Sequence, residues 1–244
     1  PSPPISRAVA FAATTGIIRR VELIQKIRPR RRIPGLTSAW NRLRGRTSAG
    51  QPLTEMPCLP VAAGKVQTLD SPVDYRETIL ALIAQAKKRI LIAALYLQDD
   101  DAGREVLSAL YAAKKAQPQL EVSVFVDWHR AQRGLIGKVK SEGNAALYRS
   151  MAERFGPGVT VYGVPVQRRE LMGVLHLKGL VIDDHVLYSG ASLNDVYLQR
   201  HGRYRLDRYH LIDDAALADS LAGLLDTTFI LSPAVLPLDS AQVP

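Results

Sequence analysis

The chain has 244 residues, 47% of them hydrophobic, and a net charge of +9; this apolar content suffices for a core and excludes disorder throughout. Residues 1–63 hold 11 basic and two acidic side chains, whereas residues 64–244 hold 21 of each. The single cysteine, Cys58, excludes an intramolecular disulfide and a cysteine-based zinc site, and the longest uninterrupted apolar stretch, Ile90 to Leu97, is about ten residues too short to span a bilayer.

The first predicted region is a basic arm, residues 1–63, which prolines and glycines interrupt repeatedly. Within it, Ile17–Arg28 has apolar residues at helical spacing, and three arginines at 30–32 follow. This pattern fits an interfacial helix that binds an anionic membrane surface, a disordered basic arm, or an organelle transit peptide. Because a lone cysteine fits a reducing compartment, we expect a cytoplasmic protein associated peripherally with the inner face of the membrane.

From residue 64 to residue 232 the pattern is regular α/β, and residues 233–244 are predicted to form a tail. Ser71 or Asp74 is expected to cap the first helix. Strands separated by helices indicate a mixed, largely parallel sheet flanked by helices, with the first two strands parallel. Helices are predicted at Tyr75–Lys88, Arg104–Lys115, Ala145–Phe155 and Ala215–Phe229, strands at Arg89–Leu97, Val122–Val126, Val159–Tyr162 and Tyr209–Ile212, and a hairpin at Val174–Ser189.

The chemically informative residues lie in this hairpin and in the loop after it. His176 and Lys178 alternate with apolar residues, so an extended strand places the imidazole and the ammonium on one face. Asp183 ends the strand at a turn. After the hairpin, the small residues of Ser189–Asp195 offer hydroxyl, amide and backbone donors that suit a phosphate. An imidazole nucleophile that attacks phosphorus needs these groups around it.

The pattern H-x-K-x-x-x-x-D followed by G-x-S-x-N resembles the HKD signature of the phospholipase D superfamily. The residues at the family spacing are His176, Lys178, Asp183, Gly190, Ser192 and Asn194. Further stretches resemble the amino-terminal half of the bacterial phosphatidylserine synthase branch: Ala94–Asp100, Val126–Gly134, Val161–Pro165, Gly173–Gly179, Leu187–Leu198 and Asp207–Ile212. The similarity covers roughly residues 66 to 230 and implies a single phospholipase D-like half-domain.

The resemblance implies transfer of a phosphatidyl group from CDP-diacylglycerol to L-serine with release of CMP, without a metal or another cofactor. It implies that His176 attacks phosphorus to form a phosphohistidine and that Asp183 supports the strand from its turn. Lys178 and Asn194 are then expected to stabilise the phosphate oxygens, with Ser192 near the same site. A phospholipase D or cardiolipin-synthase-like transfer is the alternative, because the acceptor alcohol does not follow from the spacing.

The family has two HKD motifs that face each other across a two-fold axis, whereas this sequence has one. None of the other four histidines begins an H-x-K. Two copies of the chain therefore form a homodimer in which each gives one histidine, the second acting as general acid for the leaving CMP, or the chain is an incomplete enzyme. A non-catalytic lipid-surface or dimerisation module is a further interpretation.

Other polar residues near predicted strand ends are candidates for substrate binding, against core packing or surface ion pairs. They are Tyr96, Gln98, His129, Arg130, Arg208 and His210. The aspartates at 99–101 lack EF-hand spacing, and a solvated loop fits them better than a metal site. Because the excess positive charge lies in the arm, no nucleic-acid partner is expected, which argues against a nuclease of the single-motif type.

Overall fold

The computed structural model describes residues 58–132, 143–166 and 174–239. The predicted helix at Ile17–Arg28 and the arginines after it lie outside these residues. From Val61 onward the described residues form one compact unit. Within the described ranges, no helix is both long enough and apolar enough to cross a membrane.

Helices and strands alternate along most of the unit. The strands are β1 Val66–Leu69, β2 Arg89–Ala93, β3 Glu121–Asp127, β4 Thr160–Val164, β5 Gly179–Ile182, β6 His185–Ser189, β7 Tyr209–Asp213 and β8 Leu236–Pro237. The helices are α1 Pro72–Gln85, α2 Asp101–Ala116, α3 Trp128–Gln132, α4 Asn144–Phe155 and α5 Ala215–Leu225, with a π-helical turn after α5 at Asp226–Ile230. Each helix and strand predicted beyond residue 64 is present, whereas β1, α3 and β8 were not predicted.

All eight strands form one sheet in the order β1–β7–β6–β5–β2–β3–β4–β8. The pairs β2–β3 and β3–β4 are parallel, and the other five pairs of the described sheet are antiparallel. The predicted mixed sheet, with parallel first strands, is therefore confirmed, but its largely parallel character is corrected. The reason is that β5, β6 and β7 follow one another without crossover helices, so each reverses the direction of the last.

Capping side chains set the starts of the helices. Ser71 Oγ accepts the Asp74 N–H at 3.0 Å, and Pro72 occupies the first turn of α1. The helix therefore begins three residues before the predicted Tyr75, at the cap rather than at the first residue of the apolar face. Asp100 caps α2 in the same way by accepting the Gly103 N–H.

Helices cover both faces of the sheet, as predicted. On one face, α1, α2 and α4 bury a hydrophobic cluster that includes Ile90 and Ile92 of β2, and the Tyr75 ring of α1 stacks on Tyr209 of β7 at 4.6 Å. The alternate residue Leu91 points to the other face. There α5 packs on β5 and β6.

The sheet topology brings several chain ends to one edge. Because β2, β3 and β4 are parallel, their carboxyl ends lie together, and Gly179 at the start of β5 pairs with Ala93 at the end of β2. Ser189 at the end of β6 pairs with Tyr209 at the start of β7. We call this the site edge, defined by Ala93, Asp127, Gly179, Ser189 and Tyr209.

Candidate active site

His176 and Lys178 lie in the segment 174–178, which leads into β5 at the site edge and is not part of the strand. Lys178 Nζ is 3.3 Å from His176 Nδ1, so the two groups are adjacent as predicted. The predicted hairpin began at Val174, whereas strand β5 begins at Gly179. His176 is exposed, whereas Lys178 is only 8% exposed. Because an ammonium group only donates, a charged Lys178 makes Nδ1 the acceptor and places the proton of a neutral imidazole on Nε2.

Asp207 provides a negative charge near the Lys178 ammonium. Burial lowers the pKa of Lys178, and the charge of Asp207 acts in the opposite direction by favouring the ammonium. The Asp207 carboxylate accepts the N–H groups of Gly190 at 3.2 Å and Arg208 at 2.7 Å. Sequence reasoning did not select Asp207 as a site residue; the available signal was its position two residues before a predicted strand.

Gly190 is needed because its backbone approaches Asp207 closely. A Cβ at this position would lie 2.7 Å from Asp207 Oδ2, closer than nonbonded atoms pack. The first residue of the G-x-S-x-N pattern therefore lets the backbone N–H reach the carboxylate. Two residues later Ser192 is buried, and Leu193 O accepts the Gln98 N–H at 3.0 Å, which ties this loop to the segment after β2.

Asn194 and Tyr96 meet at the site edge. Asn194 Nδ2 donates to the Tyr96 hydroxyl at 3.2 Å, and Asn194 Oδ1 accepts the Tyr197 N–H at 2.9 Å. The amide oxygen is therefore used to hold a turn, while the amide nitrogen carries a second N–H group besides the one donated to Tyr96. A second amide N–H group can donate to an anion.

The acidic segment after β2, residues 99–101, is hydrogen-bonded to the loop that carries Ser192 and Asn194. Asp100 accepts the N–H groups of Gly103 and Asp195, each at 2.9 Å, and Asp195 accepts the Ala102 N–H at 2.8 Å. Burial, together with the neighbouring carboxylates, raises the pKa of Asp100 to about 6. The prediction of a solvated loop is thus corrected for Asp100, whose oxygens are used to hold two backbone segments together.

Asp127, at the end of β3, fixes the chain next to His176. Its side chain is completely buried, Oδ1 accepts the Arg130 N–H at 2.9 Å, and Oδ2 accepts the Leu175 N–H at 2.8 Å. Leu175 directly precedes His176. Sequence reasoning did not include Asp127 among the site residues, although a carboxylate that ends a buried strand was a usable signal. His129, exposed, and Arg130, partly buried, follow in α3 at the same edge, as predicted.

The structure assigns Gln98 a structural role, which corrects the prediction that it lines the substrate cleft. Gln98 is buried, and its Nε2 donates to Asn144 Oδ1 at 2.9 Å. The same oxygen accepts the Asp99 N–H at 2.9 Å. Because β2 ends at Ala93, the strand alternation that placed Tyr96 and Gln98 on one face does not apply to them.

His210 is not brought together with His176. It pairs with Tyr188 across β6 and β7, so it projects from the face of β7 opposite to that of Tyr209. Burial and the nearby Arg208 guanidinium both lower its pKa, and its Nδ1 is buried without a hydrogen-bond partner among the described residues. Arg208 and His210 thus lie close together, with Arg208 exposed at the site edge and His210 partly buried in the strand, and their binding of phosphate stays a prediction.

Asp183 lies at the turn after β5, at the opposite end of the strand from His176, which is the place from which it was predicted to support the strand. Its carboxylate accepts three backbone N–H groups, from Lys87 at 2.9 Å, Lys88 at 2.8 Å and Arg89 at 3.1 Å. These bonds lower the pKa of Asp183 despite the opposing effect of burial. With φ near 50°, Asp183 forms the hairpin turn and joins it to the start of β2. Its contribution is to the fold.

Asp183→Asn is expected to lower the free energy of unfolding by about 1–2 kcal/mol, because the amide keeps one acceptor oxygen and tolerates the left-handed turn. Urea denaturation at pH 7 measures this loss. Since the pKa is depressed, the carboxylate's stabilising contribution is present above the ordinary value of 3.8 and disappears below it. The difference in unfolding free energy between the variant and the parent should therefore become smaller only in that acidic range. A variant as stable as the parent at pH 7 would contradict the assignment.

Comparison with known proteins shows clear relatives. No family model matches the chain. It is 55% identical over 170 residues to a CDP-diacylglycerol–serine O-phosphatidyltransferase of Escherichia coli (strain K12), a match covering 69% of this chain and 38% of the relative. The enzyme of that name from Haemophilus influenzae is 44% identical over 200 residues, a match covering 80% of this chain and 44% of the relative. The chain thus spans less than half the length of these curated relatives.

Solved structures show the same relationship. The crystal structure of phosphatidylserine synthase from Haemophilus influenzae matches with a TM-score of 0.71 and 43% identity, covering 76% of this chain and 41% of that one. Nuc of Salmonella typhimurium, a phospholipase D family member, matches with a TM-score of 0.50 and 18% identity, covering 72% and 98%. The second match concerns the fold alone.

Proposed function

The chain is similar in sequence and in fold to bacterial phosphatidylserine synthases and has a phospholipase D-like fold, and from this premise we propose that it is the half of a phosphatidyltransferase that carries the nucleophile. The proposed reaction moves a phosphatidyl group from CDP-diacylglycerol to L-serine and yields phosphatidylserine and CMP. The observation that carries the proposal is the 3.3 Å contact between His176 Nδ1 and Lys178 Nζ at the site edge. The loop with Ser192 and Asn194 starts from the same edge.

In the first step, His176 Nε2 attacks the phosphorus that bears the diacylglycerol. The new N–P bond forms as the P–O bond to CMP breaks, and CMP leaves with the electron pair. Because a phosphate monoester has a second pKa of about 6, CMP departs near pH 7 with little need for a proton. Lys178 moves from Nδ1 to the phosphate oxygens, so the imidazole proton can reside on Nδ1 and Nε2 is available to attack.

In the second step, the serine hydroxyl attacks the phosphohistidine. The new O–P bond forms as the N–P bond breaks, and the hydroxyl proton passes to a general base. We assign this base to the histidine of a second HKD half, because the chain has one H-x-K and spans less than half of its relatives' length. A second copy in a homodimer, or a further half of the same protein, would supply it.

Turnover of CDP-diacylglycerol in detergent–lipid micelles tests the proposal. Purified protein is incubated with the labelled substrate, with and without serine, and CMP and lipid products are measured. We expect CMP release with formation of phosphatidylserine, and a specific activity that rises with protein concentration if two copies complete the site. If glycerol or phosphatidylglycerol is the better acceptor, the result would favour a cardiolipin-synthase-like transfer. If phosphatidic acid is the only lipid product, it would favour a phospholipase D. No CMP release at any concentration would favour a non-catalytic half.

We also propose a peripheral position at the cytoplasmic face of the membrane, since the proposed substrate is a lipid. The basic residues of 1–63 support this proposal, since each cation near an anionic surface contributes about 1 kcal/mol. The neutral charge of residues 64–244 gives no comparable support to nucleic-acid binding.

A further inference from the structure

Residues 201–208, here called the arginine loop, connect the turn after Asn194 to β7. The loop contains Arg203, Arg205 and Arg208 and one acidic residue, Asp207, so its net charge is +2 with His201 neutral. All three arginines are exposed. The loop is therefore a cationic segment within residues 64–244, whose net charge is zero.

Two large hydrophobic side chains of the loop point into solvent. Tyr204 is 51% exposed and Leu206 is 66% exposed. They alternate with the arginines, so apolar and cationic groups occupy one short segment. Because exposing a leucine to water is unfavourable, such a segment is typical of a surface that meets an apolar phase.

The rest of the domain holds the loop in place. Arg205 N donates to Val196 O at 3.0 Å, and Tyr209 Oη donates to Arg205 O at 3.3 Å. The Arg205 guanidinium lies 5.9 Å from the centre of the Tyr197 ring. At the start of the loop, His201 Nε2 is 3.0 Å from Asp101 Oδ2. Tyr204 and Leu206 thus stand on an anchored backbone, on either side of Arg205.

The loop adjoins the candidate active site. Asp207 follows Leu206 directly, accepts the Gly190 N–H and influences the charge of Lys178. A surface that binds Leu206 therefore lies next to the His176–Lys178 pair. A lipid headgroup that enters the site from such a surface needs little displacement from the bilayer.

We propose that the arginine loop docks on an anionic phospholipid bilayer, with Tyr204 and Leu206 inserted among the lipids and the arginines at the headgroups. This inference rests on the proposed function, since it concerns where that site obtains its lipid. Insertion of apolar tips with cations alongside is the usual mode of interfacial binding. The second HKD half, which the proposed function places over the His176–Lys178 pair, is the alternative occupant; direct pairing of two copies through this loop would bring two segments of the same charge together.

A fluorescent label on the loop gives a local readout of insertion in the full chain. In a Cys58→Ser background, Leu206→Cys is labelled with an environment-sensitive, nitrobenzoxadiazole-type fluorophore. Leu231→Cys is the matched control, since Leu231 is 68% exposed and follows the turn after α5. Vesicles of phosphatidylcholine alone, and with phosphatidylglycerol added, are titrated into each labelled protein.

We expect the emission at position 206 to shift to the blue and rise about twofold or more with the anionic vesicles, reversibly in high salt, and to change little at position 231. In addition, Arg203→Gln should weaken the response about fivefold in lipid concentration, whereas Lys115→Gln, an exposed charge at the end of α2, should not. An unchanged signal at 206, an equal signal at 231, or a blue shift that follows protein concentration without lipid would overturn the proposal. Because no turnover is measured, a chain that inserts but releases no CMP refutes the proposed function and not the docking surface.

Discussion

His176→Ala is expected to abolish the transfer reaction, with a decrease of at least about a thousandfold, because the nucleophile that forms the covalent intermediate is lost. The variant should also fail to accept the labelled phosphatidyl group from CDP-diacylglycerol when serine is omitted. Electrophoresis of the labelled protein measures this adduct. A phosphohistidine linkage is labile to acid and stable to base. His176 is exposed, so its replacement leaves the core unchanged and the fold should persist.

His185→Ala is the matched control for this experiment. His185 also adjoins the β5–β6 hairpin, but it lies at its far turn, 3.8 Å from Asp213. Its replacement should leave both the adduct and the transfer intact. Full transfer by the His176 variant, with the control equally active, would remove the proposed mechanism; loss in both variants would point to the hairpin rather than to the imidazole.

Asp127→Ala is expected to cost about 3 kcal/mol of unfolding free energy, since two backbone N–H groups lose a charged, buried acceptor. It should also reduce kcat per folded molecule by about tenfold or more, because Leu175 then no longer fixes the position of His176. Urea denaturation gives the first quantity and steady-state kinetics at saturating substrate gives the second. Asp127→Asn retains the volume and one acceptor oxygen, and we expect intermediate losses.

Asp214→Ala separates positioning from stability. Asp214 is also buried and caps α5 by accepting the Leu217 N–H at 3.0 Å, at the end of the sheet away from the site edge. The Asp214→Ala variant should be less stable than the parent and keep the parent's kcat. If the variants at 127 and 214 show the same kcat at equal folded fraction, Asp127 contributes to the fold alone.

The fold was predictable where local signals are strong. The apolar face of α1 and the cap at Ser71 identify the helix, and the apolar run of β2 identifies a buried strand. β1 and β8 were missed because four and two residues give too little periodicity, and only pairing with β7 and β4 makes them strands. The share of parallel pairs was overestimated because the order of strands in a sheet is set by contacts that are distant in sequence.

The candidate site was predictable to the extent that a short motif contains it. His176 and Lys178 are two residues apart, and their adjacency follows from local geometry. The contact between Asp127 and Leu175 joins residues 48 apart, and no periodicity indicates it. The position of Asp183 at the turn was also predictable, whereas its bonds to the N–H groups of Lys87, Lys88 and Arg89 join residues 94 to 96 apart and were not.

The two oxygens of Asp127 couple α3 to the segment that carries the histidine. One oxygen holds the first turn of α3 and the other holds the residue before His176, so a molecule that pulls on His129 or Arg130 also shifts the imidazole. By thermodynamic linkage, a ligand that binds more tightly to one alignment of α3 also favours one alignment of the histidine segment, by the same factor in the two binding equilibria.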